Sequence, residues 1–383
     1  MAEIIYLDNN ATTRPLDAVV EAMVPLLREQ YANPSSVHRF GQSARHAVEQ
    51  ARERVAGLLG ASPREIVFTS GGTESINLAV QGALGAGGGR RKLVTSAVEH
   101  SATARLAERL AGEGWTVETV GVDGEGRLDL EELAARLDDD TALVSLIWAN
   151  NETGVLLDVD RIAGITSDRG VPLHLDAVQA VGKVPIDVAS LPVQMLSLSG
   201  HKFHGPKGVG ALYAQRRARL RPAIVGGRQE RDRRGGTENV PGIVGMGVAA
   251  EWAGRHLPDL PERVGRLRDR LEAGLRAAVP GARVHGVGAP RIANTTNIGF
   301  RGVQAEGLLL LLSEHGVCAS AGSACSSGSL EPSQVLTAMN ADPLTAHGAV
   351  RFSLSAFNTT DEVESVVSLL PALLERLTAL TPR

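Results

Sequence analysis

Over roughly its first 250 residues the chain alternates short, continuous apolar runs with segments of helical periodicity. The runs are Glu65-Ile66-Val67-Phe68-Thr69, Lys92-Leu93-Val94-Thr95-Ser96 and Leu143-Val144-Ser145-Leu146-Ile147-Trp148, followed by Val171-Pro172-Leu173-His174-Leu175 and Val193-Gln194-Met195-Leu196-Ser197-Leu198. Such runs suit strands covered on both faces, as in a largely parallel sheet. Between them, Ser43 to Leu59 sets Ala47, Ala51, Val55, Leu58 and Leu59 on one stripe, with Gly60 at the expected C-cap. Asp129 to Leu137 likewise carries Leu130, Leu133 and Leu137. The pattern predicts an α/β sheet flanked by helices.

Beyond Gly242 the texture turns helical, with Val264, Leu267, Leu271, Leu275 and Ala278 on one face of Arg263 to Ala278. Short strands then return at Thr296 to Phe300 and Val350 to Leu354, before a final amphipathic helix. A length of 383 residues fits two domains. We expect a large domain over 1–254 and a smaller α+β domain over 255–383, to which the N-terminal segment contributes. A net charge of −4 with interspersed signs gives no footprint for nucleic acid or an anionic membrane. Short basic stretches such as Arg216-Arg217-Ala218-Arg219 and Arg231-Asp232-Arg233-Arg234 read as solvated surface. The run Leu308 to Leu312 is too short to cross a bilayer, and Met1 to Tyr6 has no secretory signature. Cys318 and Cys325 make no disulfide framework, so a reducing cytoplasm is the expected location.

The chemistry collects just past the strand ends, where open α/β sheets bind ligands. The run ending at Leu198 leads into Ser199-Gly200-His201-Lys202, and the run before it ends at Asp176, with Gln179 three residues later. A lysine to form a Schiff base and an aspartate to hold a pyridinium nitrogen are what pyridoxal 5'-phosphate (PLP) requires of its protein. After Thr69 comes Ser70-Gly71-Gly72-Thr73-Glu74, a glycine turn at a helix start where Thr73 can cap and a phosphate can bind. His100 follows the strand at Lys92, and Asn151 in Asn150-Asn151-Glu152-Thr153-Gly154 follows the next one. Taken alone, the glycine turn, His100 and Asn151 each read better as an ordinary turn or surface residue. Falling in this order past successive strands, they favour one PLP site. Gly85 to Gly89 lacks the Lys-Ser or Lys-Thr of a P-loop and reads as a surface loop.

Over essentially its whole length the chain resembles the class V aminotransferase-like, fold-type I PLP enzymes, and among them the cysteine desulfurases of the IscS/NifS type. The resemblance lies in Tyr6-Leu7-Asp8-Asn9-Asn10-Ala11-Thr12-Thr13, Asn33-Pro34-Ser35-Ser36-Val37-His38, Glu65 to Glu74 and Glu99-His100. It continues in Asn150 to Gly154, His174 to Gln179, Ser199 to Gly205, Arg234-Gly235-Gly236-Thr237, Ser320 to Ser326 and Arg351-Phe352-Ser353. It implies a seven-stranded, mainly parallel sheet in the large domain. It also implies roles for named residues. Lys202 would attach PLP and shuttle protons, Asp176 would hold the ring nitrogen and Gln179 the phenolic oxygen. His100 would stack on the ring and act as acid or base. Gly72, Thr73, Ser199 and His201 would hold the phosphate, joined by Thr237 from a neighbouring subunit. Arg351 with Asn151 would clamp the substrate carboxylate. No residue is assigned to a metal.

Cys325 decides the reaction within that family. It lies in Ala319-Ser320-Ala321-Gly322-Ser323-Ala324-Cys325-Ser326-Ser327-Gly328-Ser329, a segment with nothing large to bury and therefore expected to be mobile. Cys318, on an expected strand, reads as structural. The resemblance implies that Cys325 takes sulfur from L-cysteine as a persulfide, leaving L-alanine. A homodimer would then pass that sulfur to an iron–sulfur scaffold or a tRNA-thiolation carrier. Selenocysteine lysis, transamination or another class V elimination is the alternative, and would leave Cys325 without an essential role. The chain stops at Leu380-Thr381-Pro382-Arg383, without the longer tail by which some members dock a scaffold, so docking by that route is not expected.

Overall fold

A computed structural model describes residues 4–321 and 333–380. The apolar runs of the first half form one seven-stranded sheet. In chain order its strands are β2 (Ile66–Thr69), β3 (Lys92–Ser96), β4 (Thr116–Val120), β5 (Thr141–Ile147), β6 (Leu173–Asp176), β7 (Met195–Ser199) and β8 (Gly210–Ala214); β1 (Ile5–Tyr6) lies outside it. In space they run β2-β8-β7-β6-β5-β3-β4, and every pairing is parallel except those made by β8. Six of the seven strands are buried along their full length, because helices cover both faces, and only β4 at the edge is largely open. Of the stripe expected from Ser43, Ala51, Val55 and Leu59 lie on the buried face of the helix Arg39–Leu59 beside Ala44 and Val48, while Ala47 and Leu58 are only half-buried; the helix ends at Gly60 in the left-handed region (φ 67°). The helix Leu130–Arg136 starts at Asp129, whose side chain accepts from the backbone of Glu131 and Glu132.

Two strands of the large sheet escape a reading by apolar runs. β4 alternates Thr, Val, Glu, Thr, Val with mixed exposure, and β8 is built from Gly, Ala, Leu, Tyr and Ala. The large-sheet core takes in Ala253, near the end of the helix Val240–His256, whereas Val264 of the helix Leu260–Ala278 belongs to a separate core. That second core includes Phe300, Leu308, Val350, Phe352 and Leu370, and it draws in Leu7 from the N-terminus. Around it lie β9 (Arg283–Val284), β10 (Thr295–Gly299), β11 (Val317–Cys318), β12 (Ser320–Ala321) and β13 (Ala349–Ser353), the last four flanking the helix Ala305–Glu314 and the 322–332 segment. β12-β13-β10-β9 form an antiparallel sheet, and β11 pairs in parallel with β1. The N-terminal segment then runs from this core to the carboxyl ends of β6 and β7, where Thr13 N–H bonds the His201 carbonyl at 2.9 Å. Among the described residues, no helix is long and apolar enough to cross a membrane.

Candidate active site

The strand register brings the two central residues together. β6 ends at Asp176, which pairs with Ser197 of β7, and β7 leads through Ser199 into the single turn Gly200–Lys202. Asp176 is 3% exposed and accepts one hydrogen bond, from Val178 N–H at 3.0 Å. Burial raises its pKa to about 6, against a smaller lowering by the backbone bond and by Lys202. A buried carboxylate in this condition is set to receive a cationic or protonated partner. The Lys202 ammonium reaches the carbonyls of Asn10 (2.5 Å) and Ala11 (2.8 Å), contributed by the N-terminal segment.

The glycine turn after β2 faces the same place. A side-chain carbon on Gly72 would come within 2.7 Å of Val178, so only glycine lets that backbone lie so close to the turn after Asp176. The Ser199 hydroxyl lies 3.8 Å from the position a Cβ would take on Gly71. The helix Gly72–Gly85 points its first, internally unpaired N–H groups into this space, as an anion requires. The N-cap is Gly71, not Thr73, which lies exposed in the first helical turn. The chain reverses two residues earlier than a threonine cap would need, through Gly71, and Glu74 accepts from Ser70 N–H at 2.8 Å. Thr73 is therefore free of the capping duty expected of it.

Two histidines border the space. His100 caps the helix Ser101–Gly112, its Nδ1 accepting from Ala102 N–H at 3.1 Å. Burial and then Lys202 lower its pKa, so the imidazole is neutral and its Nε2 carries the proton. His201 Nδ1 lies 3.1 Å from the Thr12 hydroxyl, and burial with the charges of Lys202, Lys207 and Lys183 lowers its pKa to about 4. Beside His100, Glu99 is half-buried, and desolvation raises its pKa to about 8, opposed by bonds from Ser96 and Ile147.

A layer of hydrogen bonds joins these groups to the second core. Asn10 is its hub. Its side chain donates to the Asn151 carbonyl (3.1 Å) and the Thr295 hydroxyl (2.8 Å), and its own carbonyl accepts from Gln179 Nε2 at 2.9 Å. Arg351, 2% exposed on β13, donates to the same Asn151 carbonyl at 3.0 Å and to Asp8 at 2.7 Å. Its buried Nε–H has no partner among the described residues, which leaves a donor for an incoming oxygen. Asn151 meets Arg351 through its backbone, not its side chain.

Cys325 lies outside the described residues, but both ends of its segment are placed. Ser320 pairs with Arg351 across β12 and β13. Ser333 caps the helix Gln334–Ala338 and donates to buried Glu152, next to Asn151. Cys318 sits on β11 paired with Tyr6, and burial followed by Asp8 raises its pKa. Thr237 is exposed, and no hydrogen bond joins it to the residues above among those described. Its segment is nevertheless fixed. Arg234, expected as solvated surface, makes a two-pronged pair with Glu74 at 2.8 and 3.2 Å. Upstream, Glu230 and Arg231 stand in the left-handed region, held by a buried pair of Glu230 with Arg52 at 2.7 Å. Asn10, Asp8 and Lys183 received no role from the sequence. The first two lie inside the quoted Asp8-Asn9-Asn10 motif, and Lys183 stands four residues after Gln179, which is the one local signal that could have found it.

His174, on β6 between the hydroxyls of Ser145 and Ser197 (2.8 Å each), is structural. Burial depresses its pKa from 6.5 to about 3. A histidine held neutral in the fold adds stability above its unfolded pKa and loses it as pH falls towards the folded one. Below pH 6.5 it therefore costs up to about 1.4 kcal/mol per pH unit. Urea unfolding of wild type and His174→Gln between pH 6.5 and 4 should show a slope against pH that is shallower in the variant. Parallel slopes would contradict this.

Residues 5–366 match the Aminotransferase class-V family. Cysteine desulfurase NifS of Azotobacter vinelandii is 50% identical over 379 residues, covering 99% of this chain and 94% of that protein. A solved NifS-like protein superposes with a TM-score of 0.92 at 39% identity, covering 98% of this chain and all of that one. The structure of SspA in complex with cysteine gives a TM-score of 0.82 at 33% identity, covering 93% of this chain and all of that one.

Proposed function

The chain belongs to the aminotransferase class-V family and is a cysteine desulfurase, and from that premise we propose that it uses PLP held between Asp176 and Lys202 to move sulfur from L-cysteine to Cys325. The observation that carries the reading is the placement of a buried aspartate at the end of one strand and a lysine just past the end of its parallel neighbour, facing a glycine turn. When bound, PLP supplies an electron sink for bond cleavage on the amino acid. The residues fit it. Asp176 offers its carboxylate to the ring nitrogen, Gln179 an amide N–H to the phenolic oxygen, and neutral His100 a flat ring and an Nε2 proton. Gly72, Thr73, Ser199 and His201 line the place for the phosphate. Lys202 is the amine for cofactor attachment and for moving a proton at the substrate α-carbon. The free Nε–H of Arg351, beside Asn151, binds the substrate carboxylate.

Cys325 follows Ala321 by four residues, a span of at most ~14 Å of extended chain from a strand paired to the Arg351 strand. Its thiolate forms an S–S bond to the sulfur of L-cysteine while the C–S bond breaks. The electron pair of that bond stays on the β-carbon, which takes a proton, so the products are L-alanine and a persulfide. Raised and half-buried Cys318 is the poorer nucleophile. An iron–sulfur scaffold or another thiol-bearing carrier then accepts the sulfur, and a cytoplasmic setting suits a protein that works through a thiol.

Thr237 completes the phosphate site of a second copy, making the protein a homodimer in which each site needs both chains. Sedimentation should show a PLP-loaded dimer; an active, PLP-loaded monomer would refute this. The reading as a whole is tested by adding PLP to purified protein. Wild type should turn yellow and release alanine from L-cysteine, whereas Lys202→Ala should lose the visible band of the attached cofactor. A protein that takes up no PLP, or a Lys202→Ala protein with the wild-type band, would overturn it.

A further inference from the structure

Lys183 is a second lysine at this site, and neither cofactor attachment nor substrate binding uses it. Its Nζ lies 2.5 Å from Gln179 Oε1 and 3.3 Å from Asn10 Oδ1. On the other side of the same amide, Gln179 Nε2 lies 2.9 Å from the Asn10 backbone carbonyl. That carbonyl can only accept, so the amide nitrogen must face it and the amide oxygen must face Lys183. The Asn10 carbonyl is in turn fixed by Lys202, and the Asn10 side chain by Asn294 and Thr295. The orientation of the Gln179 amide is thus set by two fixed neighbours. One N–H of Nε2 is spent on Asn10, and the other remains.

We propose that Lys183 is a positioning residue: it clamps the Gln179 amide against the Asn10 carbonyl, so that the remaining Nε2 N–H is presented to the phenolic oxygen of PLP. The proposal rests on the PLP reading above. A glutamine held from one side only could turn its carbonyl toward that oxygen, where two acceptors would repel. Burial, Lys202 and Arg351 all disfavour charge on Lys183, and either state of the amine can donate to Oε1. The clamp therefore does not depend on that charge.

A hydrogen bond donated to the phenolic oxygen draws charge from it and weakens proton binding beside it. Losing that bond should move the pH at which the visible band of the PLP-loaded protein changes. Lys183→Met and Gln179→Leu should each raise that midpoint by a similar amount, about tenfold in proton affinity. The double variant should move it no further, because both changes remove one interaction. If the methionine variant does not load PLP, Lys183→Arg, which displaces the donor, is read in the same cycle and should shift the midpoint only when Gln179 is present. A midpoint unmoved in the Lys183 variant, or shifts that add in the double variant, would overturn the proposal while leaving the cofactor reading intact. A wild-type protein that takes up no PLP would overturn both.

Discussion

Replacing Cys325 by serine is expected to leave PLP binding intact and to lower alanine release from L-cysteine by roughly a thousandfold or more, the scale on which loss of a nucleophile acts. PLP binding survives because the groups that fit the cofactor stand at the ends of β2, β6 and β7, whereas Cys325 belongs to a segment entered from β12. Turnover fails because a serine hydroxyl at neutral pH attacks sulfur far more weakly than a thiolate. Cys318→Ser should retain most activity, since Cys318 lies on β11 with its thiol held protonated by burial. Alanine release measured side by side distinguishes the two. Wild-type turnover by Cys325→Ser would remove Cys325 from the reaction and revive selenocysteine lysis or another class V elimination as the better description.

Asp176→Asn should show opposite effects on catalysis and on stability. An amide still fits the space but cannot compensate a protonated ring nitrogen, and alanine release should fall about 100- to 1,000-fold, the range for loss of one preorganised electrostatic group. The apoprotein should become more stable. The Asp176 pKa is raised from 3.8 to about 6 in the fold, so its protonated form is favoured there, and the ionised form weakens folding as pH rises through about 6. Two units correspond to about 3 kcal/mol at most. Unfolding of apoprotein should show the variant's advantage growing between pH 4 and pH 6 and then levelling off. A variant less stable than wild type at pH 7.5 would contradict the assignment of Asp176 as a buried carboxylate awaiting a partner.

The legible part of this molecule is the part governed by local pattern. β3 matches its apolar run end to end, and β6 and β7 end at the predicted Asp176 and Ser199, because buried parallel strands must be apolar throughout and the first polar residues mark where they leave the sheet. Gly60 and Asp129 were readable as caps for the same local reason. What escaped depends on distant partners. β4 is an edge strand whose polar face needs no apolar run, and β8 is small-residue strand that only its neighbours make a strand. Thr73 was misread as a cap because a glycine at an unusual φ moved the helix start. Asn10 joins Asn151, Gln179, Lys202 and Asn294, contacts that span 141 to 284 residues and carry no local periodicity. Sequence reading named the residues at the strand ends more readily than those that hold them in place.

The most direct measurement is mass spectrometry of the PLP-loaded protein after exposure to L-cysteine without any sulfur acceptor. One sulfur atom should be added per chain, on the peptide containing Cys325, with one alanine released for each. A sulfur adduct found only on Cys318, or alanine released with no sulfur held on the protein and no sulfide set free, would contradict the account.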